Sequence, residues 1–344
     1  MTERHIFITG ASGYVGRNLI RHFIGAGHRV TGLARSDSGA AVVSKLGATS
    51  VRGDMLRDNL SPLMVGATEL VHAAANLDHG PGRVAHADNA HGTAAVIAAA
   101  STAGIQRLVH ISSDSVLQGG HPLCNVNERR PIPIHHAGAY SAGKAEAEKA
   151  ALSGSSDAMA VIVLRPRMIW GRDDTTALPT LAAMVRSGQF AWISGGKYLS
   201  STTHVANLCH AVDLALANGR GGEVYHICDG PARPFRDTVT GLLATQGISP
   251  PDKSVPRFLL RMLARVGDGF YRLSGGRLRG PLSFQEYATS AVEITLDISK
   301  AEHELDYLPI VGWEEGLEEL EARTTRSNFQ ASPRMKNSEL MSES

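Results

Sequence analysis

The feature that most restricts this chain is a glycine pattern, Thr9-Gly10-Ala11-Ser12-Gly13-Tyr14-Val15-Gly16, set directly between an apolar run at His5–Thr9 and a helical pattern at Gly13–Ala26. Gly10 permits a tight turn, Gly13 lets backbone approach a bulky anion, and Gly16 allows the helix to pack closely. The helix opens with free amides and the positive end of its dipole, a ready seat for a pyrophosphate. Such a loop works only with its strand inside a sheet, so it commits the first half of the chain to strand–helix alternation.

That alternation is present. Short β-branched runs at His5–Thr9, Arg29–Ala34, Thr49–Arg52, Glu69–Ala73, Arg107–Ser112 and Ala158–Leu164 are separated by longer segments, with helical patterns at Gly13–Ala26, Ala87–Ala103 and Ala139–Ser153. Six or seven parallel strands with helices on both faces are predicted: an α/β, doubly wound Rossmann-type sheet whose ligand crevice lies beyond the carboxyl ends of its strands. The spacing loses regularity after Arg165, with Pro179, Pro231, Pro234 and Pro250-Pro251 punctuating shorter elements. The expected division is a dinucleotide-binding core over 1–170, a smaller, partly helical substrate lobe over 171–324 with segments returning to the core, and a disordered polar tail over 325–344.

With 344 residues and 43% hydrophobic content, the chain has enough apolar material for a large core. A formal net charge of +1 gives no electrostatic reason to expect nucleic acid, so a small-molecule ligand is the expected partner. The three cysteines, Cys124, Cys209 and Cys228, are too scattered for a disulfide framework, and the histidines, including His110 and His135-His136, lack the companions of a metal site. No metal is expected. No signal-like prelude precedes Ile6, and no window offers about twenty uninterrupted apolar residues, so a cytoplasmic protein is expected.

Coenzyme choice is read at the end of the second strand. Ala34-Arg35-Ser36 puts a guanidinium where an NAD-selective chain would carry a carboxylate against the ribose hydroxyls. Two charge-assisted hydrogen bonds to a 2′-phosphate favour NADP(H), with NAD as the alternative should Asp37 reach the ribose. Asp54, after the third strand, is placed either to accept from the adenine amino group or to cap its own turn.

Tyr140-Ser141-Ala142-Gly143-Lys144 brings a phenol and an ammonium to one face of a helix, a turn apart. An ammonium, together with an oxidised nicotinamide, lowers a phenol from its usual value near 10, so Tyr140 is expected to exchange a proton near neutral pH. Leu108-Val109-His110-Ile111 runs into Ser112-Ser113-Asp114-Ser115, which presents hydroxyls at the carboxyl end of a strand. Ser113 is the candidate to orient a substrate oxygen, with Ser112 and Ser115 as rivals.

This order of motifs, with Asn89-Ala90-His91-Gly92-Thr93, Leu164-Arg165-Pro166-Arg167-Met168-Ile169-Trp170-Gly171 and Asp297, Lys300, Leu305, Tyr307 and Pro309, resembles the extended short-chain dehydrogenase/reductases over roughly residues 5–320. The branch it is most similar to holds 3β-hydroxysteroid dehydrogenases and β-keto acid ketoreductases. The resemblance implies catalysis by Tyr140, Lys144 and Ser113. It implies a cofactor surface of Gly10, Ser12, Gly13, Tyr14, Val15, Gly16, Arg35, Asp54, Met55, Ala73, Ala74, Ala75, Asn89, Ser112, Lys144, Arg165 and Pro166, and a homodimer. It departs from the family pattern at Gly143, where serine is common, and at Leu117, where sugar-nucleotide members carry tyrosine. Ser115 stands where 4,6-dehydratases carry a glutamate after their aspartate, here Asp114.

The expected activity is therefore an NADP(H)-dependent interconversion of a secondary alcohol and a ketone on a hydrophobic substrate. The alternatives are a sugar-nucleotide epimerase or dehydratase that retains its NAD(P), and a dinucleotide-sensing module without chemistry. An amphipathic segment at 256–273 carries apolar residues at helical spacing beside Arg257, Arg261 and Arg265. A packing helix, a lid and a membrane contact all fit that pattern.

Overall fold

A computed structural model describes residues 3–76, 84–275, 277–278, 280 and 282–331. Strands β1 (His5–Thr9), β2 (Arg29–Ala34), β3 (Thr49–Arg52), β4 (Glu69–His72), β5 (Arg107–Ile111) and, beyond β6 (Leu123–Val126), β7 (Ala160–Pro166) match the predicted runs to within two residues at each end. Five of them and β7 join the strand Val224–Ile227 in a seven-stranded sheet, ordered Val224–Ile227, β7, β5, β4, β1, β2, β3. Every pairing in it is parallel. Chain order reverses between β1 and β4, which places the crevice at their carboxyl ends.

Helices α1 (Tyr14–Gly25), α2 (Asp37–Lys45), α3 (Val84–Ala103) and α4 (Ala139–Ser153) fill the crossovers of the first half. The pleat sends alternate side chains to opposite faces. Ile6, Ile8, Val71, Val109 and Ile162 pack with Leu19, Ile20 and Phe23 of α1 and with α6 (Val205–Asn218). Phe7, Leu70, Leu108 and Val161 pack instead with Val96, Ile97 and Ala100 of α3 and Ala151 of α4. Burial on both faces explains why these strands read as continuous apolar runs. Helix α2 was not anticipated: it buries only Gly39 and Val43, so it carries little apolar periodicity, and Ser36 caps it by accepting from Gly39 N.

The second half supplies α5 (Ala177–Arg186), α6, α7 (Phe235–Ala244), α8 (Arg257–Leu273), α9 (Phe284–Ser290), α10 (Ser299–Leu305) and α11 (Trp313–Ala331). The lobe has its own core, in which Trp170, Phe190, Trp192, Leu242 and Leu320 cluster. A small sheet of Arg233–Pro234, Leu199–Ser200, Ile294–Leu296 and β6 borrows its last strand from the first half of the chain. Conversely, Val224–Ile227 and α6 return to the large sheet. The part of the expected tail from 325 to 331 is the end of α11, and 332–344 lie outside the described residues.

The glycine turn fixes the close approach of α1 to β1. A methyl group on Gly16 would lie 2.2 Å from the Gly10 carbonyl oxygen and 2.7 Å from Ala11 Cα, both backbone atoms that cannot rotate away. Gly16→Ala is therefore expected to destabilise the fold by about 1–3 kcal/mol, a typical overpacking cost. A lower urea midpoint with an unchanged m-value checks it; a wild-type midpoint would show that the turn yields freely.

Candidate functional site

The crevice is built from the ends of β1, β4 and β5. Gly10 lies in left-handed backbone (φ 68), and a Cβ there would meet Ala74 N at 2.7 Å, so the turn and the chain after β4 are in contact. Thr9 Oγ joins the two: Ala74 N donates to it at 3.3 Å, and it pairs with His72 Nδ1 at 2.6 Å. His72 Nε2 meets Thr93 Oγ on α3 at 3.0 Å. Asn89 pins the same loop from α3, accepting from Asn76 N at 2.7 Å and donating to Asn76 O at 3.0 Å. Ala73, Ala74 and Ala75 thus form a fixed wall beside the glycine turn.

A dinucleotide fits this cradle on two observations. The α1 N-cap, Gly13, has no side chain to cap the helix, and no acidic residue stands in the first turn, so the leading amides are uncommitted and their dipole unopposed. Gly10 and Gly16 leave no room for a Cβ, which keeps backbone exposed to the crevice. Tyr14 and Val15 offer only backbone there: the Tyr14 ring is buried, with its pKa raised by desolvation and nearby carboxylates, and Val15 packs on the core.

At the adenosine end, Arg35 is exposed just past β2, followed by the Ser36 cap of α2. Ser12 Oγ and Ser36 Oγ converge on Gly39, each 3.2 Å from where its Cβ would be. Asp37, the carboxylate that argued for NAD, is paired with Arg52 Nη1 at 3.0 Å. Arg52 is opposite Ala34 in the β2–β3 register, so a second guanidinium stands beside Arg35. Asp54 accepts from Leu56 N at 2.9 Å, the turn role rather than a free acceptor. Met55 packs its sulfur end on Gly92 of α3.

The reacting end is at β5. The chain leaves Ile111 through Ser112 and enters a short 3₁₀ turn at Asp114–Leu117, capped by Ser113, whose hydroxyl accepts from Ser115 N at 3.1 Å. Tyr140, in the first turn of α4, is 8% exposed with its phenol in hydrogen-bonding reach of the Ser113 and Ser115 hydroxyls. Lys144, one turn on, is 3% exposed and donates through Nζ to the Ile111 carbonyl at 2.8 Å. The structure therefore brings together the tyrosine, the lysine and the serine turn.

Among the chain's own groups, burial and then the Asp114 charge push Tyr140 up to about 12, against the opposing pull of the Ser113 and Ser115 hydroxyls. The Lys144 ammonium donates to the Ile111 carbonyl. Burial brings Lys144 down to about 8, with Glu148 opposing. The chain's own residues thus hold a protonated phenol at neutral pH, and a lowered value calls for the cationic ring of an oxidised coenzyme.

Glu148 and the pairing of Asp114 with Arg167 escaped the sequence reading. Glu148 is buried; it accepts from Ser112 Oγ at 2.6 Å and from Arg165 Nε at 2.9 Å, so Ser112 and Arg165, expected at the cofactor, are both bonded to one carboxylate. Pro166 ends β7 beside them. Asp114 accepts from Arg167 Nη1 and from Gln118 Nε2, each at 2.9 Å. Arg167 Nη2 reaches Thr289 O at 3.1 Å, and Thr289 Oγ donates to Gln118 Oε1 at 3.1 Å, tying the serine turn to α9 of the lobe. Asp114 and Arg167 are 53 residues apart, and no local spacing announces the pair. The described residues contain no cluster of His, Cys, Asp and Glu suited to a metal, and none of their helices is long and apolar enough to cross a membrane.

Residues 6–228 match the model of the NAD dependent epimerase/dehydratase family. The chain belongs to this family. It is 40% identical over 316 residues to a 4-hydroxy-2-methyl-3-oxo-4-farnesyl-3,4-dihydroquinoline-1-oxide ketoreductase of Stigmatella aurantiaca, covering 91% of this chain and 95% of that one. It is 27% identical to a decarboxylating sterol-4-alpha-carboxylate 3-dehydrogenase of Dictyostelium discoideum, covering 92% and 100%. Its fold is similar to a dTDP-glucose 4,6-dehydratase from Streptomyces venezuelae solved with NAD, at a TM-score of 0.72 and 22% identity over 94% of this chain and 98% of that one. The named relatives include dehydrogenases and reductases, in agreement with the family resemblance read from the motifs.

Beneath the crevice, His72 and His110 face each other across β4 and β5 with ring centroids 5.1 Å apart, both fully buried. Burial and the Lys144 charge bring His72 down to about 3, and His110 is lowered well below its usual value by the same causes. Both rings stay neutral in the fold, whereas the unfolded chain protonates them below about pH 6.5. Stability is therefore lost as pH falls from 6.5 toward 3, with a slope of about 1.4 kcal/mol per pH unit for each ring. His72→Gln should flatten this slope by about one ring's share in urea titrations between pH 6 and pH 4; an unchanged slope would mean that His72 titrates normally in the fold.

Proposed function

We propose that the chain is an NADP(H)-dependent oxidoreductase that interconverts a secondary alcohol and a ketone on a hydrophobic substrate. The observation that carries this reading is the buried, protonated Tyr140 phenol beside the Ser113 hydroxyl, at the strand end next to the glycine turn. Bound coenzyme would supply or take the hydride. Tyr140 hands its proton to a ketone oxygen as that oxygen gains charge, and takes it back in the reverse direction. Ser113 donates to the same oxygen and orients it. Lys144 spends one of its three donors on Ile111 and keeps two for ribose hydroxyls. The cationic ring of an oxidised coenzyme would favour phenolate.

A hydrophobic substrate is supported by Val116 and Leu117, which continue the serine turn into an apolar cluster, and by relatives named for a farnesylated quinoline oxide and a sterol. Dehydratase chemistry is disfavoured because Asp114 is in an ion pair with Arg167 and Ser115 supplies no second carboxylate. The uncommitted guanidinium of Arg35, with Arg52 engaging Asp37, supports NADP(H) over NAD(H).

Two experiments test the reading. Tyr140→Phe is expected to lower turnover about 10²–10⁴-fold, the usual worth of a positioned proton carrier, while NADPH affinity stays within about twofold. Wild-type turnover by the variant would remove Tyr140 from the chemistry. Arg35→Asp should weaken NADPH binding about 10–100-fold, the worth of one or two charge-assisted hydrogen bonds, and leave NADH binding nearly unchanged. A wild-type chain that prefers NADH would overturn the assignment.

A further inference from the structure

Helix α8 exposes the wrong residues for a packing helix. Phe258, Met262, Val266, Phe270 and Leu273 are each more than half exposed, and Leu263 is 44% exposed. Only Ala264 and Gly267 of the helix are buried. Gly267 rests against the chain at Gly280 and Leu282, and Ala264 joins Val116, Leu117 and Ala145 in a core cluster. At about 100° per residue, the exposed apolar side chains fill a continuous arc from Phe258 to Leu263 that faces away from the protein.

The neighbouring arc is cationic. Arg257, Arg261, Arg265 and Arg272 share one edge, between the outward apolar arc and the buried one, and Arg277 follows in the next loop. From 257 to 277 these five arginines are opposed by one carboxylate, Asp268. Among the described residues, none of the five takes part in an ion pair. Arg257 and Arg265 lie over the Tyr198 and Phe284 rings at 5.0 and 5.4 Å, which holds them at the flank.

We infer that α8 docks the protein on an anionic lipid surface, with its apolar arc among the acyl chains and its arginine edge at the phosphates. An apolar arc bordered by basic side chains that snorkel to headgroup level is the form such helices take. Charge complementarity favours lipid over a second copy of the chain: antiparallel two-fold pairing across the apolar arc would bring the two arginine edges together. The buried side of α8 shares a core cluster with Val116, the residue after Ser115, and Ala145, the residue after Lys144, so the helix backs onto the core beside the serine turn. The inference requires nothing of the catalytic reading, and its test reads binding alone.

The full chain is sedimented with phosphatidylcholine vesicles, with and without phosphatidylglycerol, at low and high salt. Binding to the anionic vesicles that weakens with salt is expected. Arg265→Gln with Arg272→Gln should weaken partition about 25-fold, roughly fivefold for each charge near the surface. Met262→Glu with Phe270→Glu should abolish it. All these side chains are exposed, so each variant is expected to melt with the wild type. A wild-type chain that stays in solution with anionic vesicles at low salt overturns the inference, as does equal binding by the glutamate variant. A wild-type dimer that the glutamate variant makes monomeric, without vesicle binding, assigns the face to a second copy instead.

Discussion

The arrangement at the reacting end depends on how α4 is held against the ends of β5 and β7. Glu148, buried within the helix, takes Ser112 from β5 and Arg165 from β7, and Lys144 one turn earlier reaches the Ile111 carbonyl. A buried ion pair of this kind adds little net stability over a well-packed apolar substitute, because desolvation consumes most of the attraction. Its value here is direction. Hydrogen bonds to Ile111 and Ser112 at the end of β5 and to Arg165 of β7 set both the rotation and the height of α4, and Tyr140 rides on that helix one turn before Lys144. The phenol reaches Ser113 and Ser115 because the carboxylate and the ammonium below it are already committed.

The same clamp shows where reading the chain from its residues succeeds. The sheet was legible because strands buried on both faces must be apolar throughout, and the glycine turn because Gly10 and Gly16 sit against backbone. Tyr140 and Lys144 share a helix, and Ser113 ends a strand, so local spacing was enough to put them in one crevice. Glu148 was not legible: a glutamate in an alanine-rich helix reads as solvent-facing until its partners arrive from strands 17 and 36 residues away in sequence. The resemblance places Arg165 and Ser112 at the coenzyme, and in the fold both bond to Glu148. Helix α2 was missed because it has little buried surface, and the strand Val224–Ile227 because it lies beyond Arg165, where the strand–helix spacing loses its regularity.

Within the chain itself, relative magnitudes set the state of the phenol. A charge one helical turn away suggests acidification, but the suggestion holds only if the phenol keeps some water and the charge points at it. Tyr140 keeps almost none, and the nearest charge that counts is the carboxylate of Asp114. Desolvation wins, as it does for Lys144, His72 and His110, and all four shifts favour the uncharged form. The crevice floor is in this sense a low-charge environment. A cationic coenzyme ring entering it would change the local field far more than it would in water, and in the proposed reaction this would couple proton transfer at Tyr140 to the redox state of the coenzyme.

Asp114 and Arg167 give that floor its second function. Their pair, with Gln118 and Thr289, spans from the serine turn to α9, and it is the polar connection through which the lobe meets the turn. A carboxylate next to the Ser113 hydroxyl raises the question of whether it could act as an acid. Here its outer oxygen is already shared between a guanidinium and an amide, both buried, and giving up that ion would strand the Arg167 charge in the protein interior at a cost of several kcal/mol. The aspartate is thus committed to bracing the serine turn against α9, and the proposed reaction leaves proton transfer to the phenol.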